Sequence, residues 1–124
     1  MTLRCLIVDD SAGFGEVARA ILEDQGVEVV GVASSSAEGL SRVRELRPDV
    51  ALVDIELDGE SGFDVARDLA AASRRLSATV ILMSAQDPSE YADLIDASPA
   101  IGFIPKEELS WEMIRRLLGR GRPR

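Results

Sequence analysis

A doubly wound α/β fold, one parallel sheet with helices on both faces, is what this sequence predicts, on three observations. Apolar runs of strand length recur along the chain, at Leu3 to Val8, Glu28 to Ala33, Val50 to Val53, Thr79 to Met83 and Ile101 to Ile104. They are rich in Val, Ile and Leu and mostly continuous rather than alternating, the pattern of strands covered on both faces. Longer segments with helical spacing lie between them, so that strand and helix alternate.

Taken in order, the first run carries Cys5, the single cysteine. It is read as a core residue and has no partner for an intramolecular disulfide. Phe14, Val17 and Ile21 mark the apolar face of the first helix. Leu40, Val43 and Leu46 mark the second, which Pro48 stops. The third helix carries Phe63, Val65, Ala66, Leu69 and Ala70. Asp87-Pro88 starts the fourth, a capping side chain followed by proline in the first turn, with Leu94 and Ile95 beyond. Trp111, Ile114, Leu117 and Leu118 mark the fifth. Residues 1–118 read as one domain and residues 119–124, Gly-Arg-Gly-Arg-Pro-Arg, as a flexible basic tail, because nothing apolar follows the glycine. Five β-α units at this size suit a flavodoxin-like five-stranded sheet of order 2-1-3-4-5, whose ligands bind at the carboxyl ends of the strands.

Composition narrows the function classes. The chain has 124 residues, 46% of them hydrophobic, which is enough for one core. Its 22 acidic and 14 basic residues give a formal charge of -8, which argues against nucleic-acid binding, since that rests on clustered Lys and Arg. No apolar stretch approaches the roughly 18 to 20 residues that span a bilayer, and no basic-then-apolar leader opens the chain. A cytoplasmic protein without membrane contact is expected.

The polar residues just after each apolar run converge on one edge of such a sheet. They are Asp9 and Asp10 after the first, Asp54 after the third, Ser84 after the fourth and Lys106 after the fifth. Like charges near 4 Å repel by about 4 kcal/mol per pair at an effective dielectric of about 20, so the carboxylates need a cation. Mg²⁺ takes one or two carboxylates together with a phosphate oxygen, and Lys106 adds a second positive charge. Such a set suits a transferring phosphoryl group: a carboxylate attacks phosphorus, the cations bind its oxygens, and a hydroxyl donates to one of them. Asp54 is the expected nucleophile, alone on the central strand.

Other chemistries fit less well. Gly13-Phe-Gly15-Glu-Val-Ala18 matches a dinucleotide fingerprint, but its glycines arrive late and Asp9-Asp10 would repel a pyrophosphate. The same acidic pair and an aromatic content of 4% disfavour a flavin carrier. Asp54-Ile-Glu56 has the spacing of an aspartyl-phosphate phosphohydrolase, without the rest of that machinery.

The chain resembles the receiver domain family of bacterial two-component response regulators from Leu3 to about Leu118. The motifs are Cys5-Leu-Ile-Val-Asp-Asp10, Ala51-Leu-Val-Asp54 with Gly62 eight residues on, Ile81-Leu-Met-Ser-Ala85, and Gly102-Phe-Ile-Pro-Lys106. The resemblance implies that Asp54 is phosphorylated and that Asp10 and Asp54 ligate Mg²⁺ or Mn²⁺. Asp9 would act mainly through water and Glu56 through its backbone carbonyl. Ser84 and Phe103 would form the conformational switch, and Glu56 and Gln86 would tune hydrolysis. Three departures stand out: Leu57-Asp58 where the family often has Met-Pro, Pro105 before the lysine rather than after it, and Phe103 in place of the commoner Tyr.

With no histidine in the chain, the phosphodonor is expected to be a separate sensor histidine kinase or phosphotransfer protein. At 124 residues the chain is too short for a receiver plus a second folded module, so a stand-alone signalling switch rather than a turnover enzyme is expected. Its output would be a protein contact through the fourth helix, fifth strand and fifth helix, where Tyr91, Phe103 and Trp111 offer anchors, with a homodimer as one form. The competing expectation is an interaction module of the same fold that works without phosphorylation.

Overall fold

The computed structural model describes residues 2–57, 59–73, 79–85 and 88–121. The chain runs β1 (Arg4–Val8), α1 (Ala12–Asp24), β2 (Glu28–Ala33), α2 (Ser36–Leu46), β3 (Val50–Asp54), β4 (Glu56–Leu57), β5 (Glu60–Ser61), α3 (Gly62–Ser73), β6 (Thr79–Ser84), α4 (Ala92–Ala97), β7 (Gly102–Pro105) and α5 (Trp111–Gly121). Single 3₁₀ turns at Pro88–Tyr91 and Lys106–Glu108 precede α4 and α5. The main sheet has the order β2-β1-β3-β6-β7, with every neighbouring pair parallel. Counting only its five strands, this is the expected 2-1-3-4-5 order.

Continuous apolar strands give the sheet two cores. Cys5, Ile7, Leu52, Ile81, Met83 and Ile104 pack with Ala18, Leu22, Ile114 and Leu117 of α1 and α5. Leu6, Val8, Ala51, Val53 and Leu82 pack on the other face with Val43, Ala66 and Leu69 of α2 and α3. Successive strand residues therefore feed opposite layers, as the pleat requires. The Cys5 thiol is fully buried, and that burial pushes its pKa far above the usual thiol range, so it is an inert core group.

Local chemistry sets the ends of α2. The Ser35 hydroxyl accepts from the Glu38 amide at 3.2 Å, and the Glu38 carboxylate accepts from the Ser34 amide at 2.6 Å. Arg47 takes the left-handed conformation at φ 48°, and Pro48 then prevents continuation.

Four expectations need correction. Val17 and Leu94, read as inward-facing, are 56% and 53% exposed, because the buried stripe of α1 runs instead through Ala18 and Leu22, and in α4 it is the half-buried Ile95 that packs against the core. The fourth helix starts as a 3₁₀ turn and becomes α-helical only at Ala92. The last helix does not stop at Gly119 but reaches Gly121, since a helical glycine costs only about 1 kcal/mol and the buried Ile114 and Leu117 anchor the segment. Residues 122–124 of the expected tail, like Asp58 and Asp87, lie outside the described residues.

The β4–β5 hairpin was not foreseen. It folds the chain sharply just after Asp54, with Gly59 at φ 72° in its turn. Gly62 then closes the loop: its amide donates to the Ile55 carbonyl at 2.8 Å, and a Cβ there would collide with the Asp54 carbonyl oxygen and the Ile55 Cα.

Candidate functional site

Parallel strands that end together deliver their last residues to one edge. β1 delivers Asp9, β3 ends in Asp54 and β6 in Ser84, and these are the buried polar side chains among the described residues, at 1%, 4% and 1% exposure. Lys106 follows β7, whose Pro105 lies in register with Ser84. Its Nζ reaches 2.7 Å from Asp9 Oδ2 and 3.2 Å from Asp54 Oδ2. One ammonium therefore bridges two carboxylates that would otherwise face each other unscreened.

Backbone amides hold the other oxygens. Asp9 Oδ1 accepts from the Ser11 amide at 2.7 Å, and Asp54 Oδ1 accepts from the Glu56 amide at 3.0 Å. The Ser84 hydroxyl donates to Glu56 Oε1 at 3.2 Å, so Glu56 touches both the carboxylate and the hydroxyl of the site. The Phe14 ring of α1 lies beneath the ammonium, its centroid 4.5 Å from Nζ.

These contacts shape the titration of the site. Burial pushes the Asp54 carboxyl above its ordinary range and the Asp9 charge adds to that, while the Glu56 amide and Lys106 pull the other way. Burial alone would lower the Lys106 ammonium, but its hydrogen bond to Asp9 and the charges of Asp54 and Asp9 hold it above the usual lysine range. The site thus keeps a permanent cation beside a carboxylate that burial makes more basic than usual.

A divalent cation fits the donor set. Asp9, Asp10 and Asp54 each offer a carboxylate oxygen, and these oxygens lie within 4.8 Å of one another. An all-oxygen, anionic cluster of that size matches the preference of a hard ion such as Mg²⁺.

The structure thus brings together Asp9, Asp10, Asp54, Glu56, Ser84 and Lys106 of the residues singled out in the sequence. Phe103 does not join them. It lies beside Leu82 in register and packs with Tyr91, Ile95 and Ala100 against the layer that holds α2 and α3. Gln86 lies outside the described residues. Sequence reasoning missed the contact of Phe14, read only as helix spacing, with Lys106, and that of the Glu56 carboxylate with the Ser84 hydroxyl. The one available signal for Phe14 was an aromatic four residues past the acidic pair, at the start of a helix.

Chemically, the arrangement presents a nucleophilic carboxylate, a fixed ammonium, a hydroxyl donor and an oxygen-lined cation site on one rim. That inventory is what in-line transfer of a phosphoryl group requires.

Comparison with known proteins agrees with this chemistry. The family model of the response regulator receiver domain matches residues 5–117. A protein-glutamate methylesterase/protein-glutamine glutaminase of Myxococcus xanthus is 34% identical over 93% of this chain and 36% of its own length. The DNA-binding response regulator MtrA of Mycolicibacterium paratuberculosis is 33% identical over 97% of this chain and 52% of its own. The chain spans about a third to a half of the length of these relatives. Among solved structures, the signal receiver domain of the response regulator NarL from Mycobacterium tuberculosis superposes with a TM-score of 0.77 at 32% identity, covering 98% of both chains. The response regulator domain of Thermotoga maritima CheB gives a TM-score of 0.78 at 26% identity, over 99% of this chain and 100% of that one. With its sheet order, its acidic rim and a family match along nearly its whole length, the chain belongs to the response regulator receiver domain family.

Proposed function

We propose that this receiver accepts a phosphoryl group on Asp54 from a histidine kinase or phosphotransfer protein and signals through protein contacts. The observation that carries the reading is the Lys106 ammonium seated between Asp9 and Asp54 at the ends of the central strands. An Asp54 oxygen forms the new bond to phosphorus as the bond from phosphorus to the donor's leaving nitrogen or oxygen breaks. The carboxylate can attack because burial leaves it poorly solvated, and Lys106 stands within reach of the oxygens that gain charge. The Glu56 amide fixes the orientation of the carboxylate. Asp9, Asp10 and Asp54, with the Glu56 backbone carbonyl, would hold Mg²⁺ or Mn²⁺, which supplies positive charge to the phosphoryl oxygens when bound.

Ser84 then serves as the hydroxyl that follows the phosphoryl group, and Phe103, packed beside Tyr91 and Ile95, as the side chain whose packing responds. Output is assigned to the α4–β7–α5 face, where Leu94 is exposed and Tyr91, Phe103 and Trp111 are half-buried, either toward a protein target or toward a second copy. The named relatives include a methylesterase and a DNA-binding regulator, so the receiver is common to them while the output differs. The chain acts as a switch rather than a turnover enzyme. Among the described residues no helix is long and apolar enough to cross a membrane, in keeping with a cytoplasmic location.

Incubation with Mg²⁺ and phosphoramidate or acetyl phosphate tests the reading. A phosphate-sized mass gain in the native chain that Asp54→Asn lacks is the expected result. No gain with any donor would favour the phosphorylation-independent interaction module.

A further inference from the structure

The Lys106 side chain is held at two points by carboxylates, and a third contact completes its surroundings. Lysine carries its charge on a flexible stem with three N–H donors, so it stays where its partners are. Here Asp9 and Asp54 take it from the rim, and the face of the Phe14 ring meets it 4.5 Å away. That separation lies inside the range of roughly 6 Å at which a ring face attracts a cation. The lysine side chain is 14% exposed, so the attraction acts in a partly dehydrated place.

Beyond the ring lies a groove of about 920 Å³. Phe14, Val17 and Ile21 of α1 form one wall, and Pro105 and Lys106 form the other. Phe14 and Lys106 thus border the same groove, and the ring occupies the side of the ammonium that groove water would otherwise take.

We propose that Phe14 is a positioning residue for phosphoryl transfer: its ring face holds the Lys106 ammonium over the site when Asp54 gives up its share of that cation. The inference rests on the reading that Asp54 accepts a phosphoryl group. Before transfer, Asp54 Oδ2 is one of the two carboxylate oxygens on Nζ. As a carboxylate oxygen bonds to phosphorus, negative charge moves onto the phosphoryl oxygens, and Nζ must turn toward them. Asp9 and the ring remain as its fixed contacts through that change. Without the ring, the stem is free to swing into the groove and the ammonium to hydrate there.

The test compares Phe14→Leu, which keeps an apolar wall but has no ring face, with Phe14→Tyr, which restores the face. Each is measured alone and in a Lys106→Met background, with thermal melts to confirm folding. In the native protein the Lys106 ε-methylene protons should be shifted upfield by the ring, and Phe14→Leu should abolish that shift before any donor is added. The rate of Asp54 phosphorylation by phosphoramidate with Mg²⁺ should fall about threefold to tenfold in Phe14→Leu and recover in Phe14→Tyr. In the Lys106→Met background Phe14→Leu should cause no further loss. Native-like rates in Phe14→Leu, or an equal loss in the Lys106→Met background, would overturn the role of Phe14 alone. A native chain that takes no phosphate would overturn the phosphoacceptor reading as well, and that outcome is distinct because it appears before any variant is made.

Discussion

Glu56 joins the two halves of the site: its carboxylate accepts from the Ser84 hydroxyl at 3.2 Å while its amide donates to Asp54 at 3.0 Å. The hydroxyl assigned to the phosphoryl group is thus engaged elsewhere before transfer, and a negative charge sits beside the space the group must enter. Glu56→Ala removes both obstacles. With a net hydrogen bond worth about 1 kcal/mol, phosphorylation by acetyl phosphate should quicken roughly fivefold, as read from initial rates of mass gain. The paired substitution of Glu56 and Gln86 should also change the decay rate of the aspartyl phosphate. An unchanged decay would remove their assigned part in its lifetime.

Metal-free stability should depend on pH through Asp54. Its folded pKa is raised, chiefly by burial and further by Asp9, so folding favours the protonated acid. The stabilisation is complete below the unfolded carboxylate pKa and is lost as pH rises through the folded value. At pH 7 the ionised group is a net burden, and Asp54→Asn should be more stable than the native chain. Urea titrations in chelator should show that gap closing as pH falls toward about 4. A gap that widens in acid would contradict the sign.

Lys106→Met leaves two buried carboxylates without their shared cation. Because removing one partner of a buried pair strands the other charge, the metal-free variant should lose about 3 kcal/mol at neutral pH. Mg²⁺ should recover part of this by binding the folded state, about 2.7 kcal/mol at a hundredfold excess over its Kd. Asp10→Asn should abolish most of that gain. Chemical denaturation with and without Mg²⁺ measures all three.

Gly62→Ala tests the loop that carries Asp54. The added Cβ would overlap the Asp54 carbonyl oxygen and the Ile55 Cα, neither of which can move without shifting the strand end. A loss of about 2 kcal/mol is expected, in the range of overpacking, together with slower phosphorylation. Gly13→Ala, where a Cβ meets nothing and the residue is helical, is the control: it should leave phosphorylation unchanged and gain up to about 1 kcal/mol rather than lose stability.

The strands were legible because a sheet covered on both faces forces continuous Val, Ile and Leu runs. Once the runs were ordered, Asp9, Asp54, Ser84 and Lys106 fell at the strand ends as a matter of topology. Helix faces were less legible. Val17 fits the apolar stripe of α1 by spacing, yet it sits one position off the buried Ala18 and Leu22 and faces the groove. The β4–β5 hairpin has strands of two residues, too short for any periodic signal. The contacts of Phe14 with Lys106 and of Glu56 with Ser84 join residues far apart in the chain, and only the folded geometry reveals them.

Every role proposed for the site depends on where the phosphoryl group is attached. Borohydride reduction of the protein after treatment with phosphoramidate and Mg²⁺ converts an aspartyl phosphate to homoserine, and peptide mass mapping then locates it. Homoserine at position 54, absent when Mg²⁺ is withheld, is the predicted result. Homoserine at another aspartate, or at none while the protein remains folded, would contradict it.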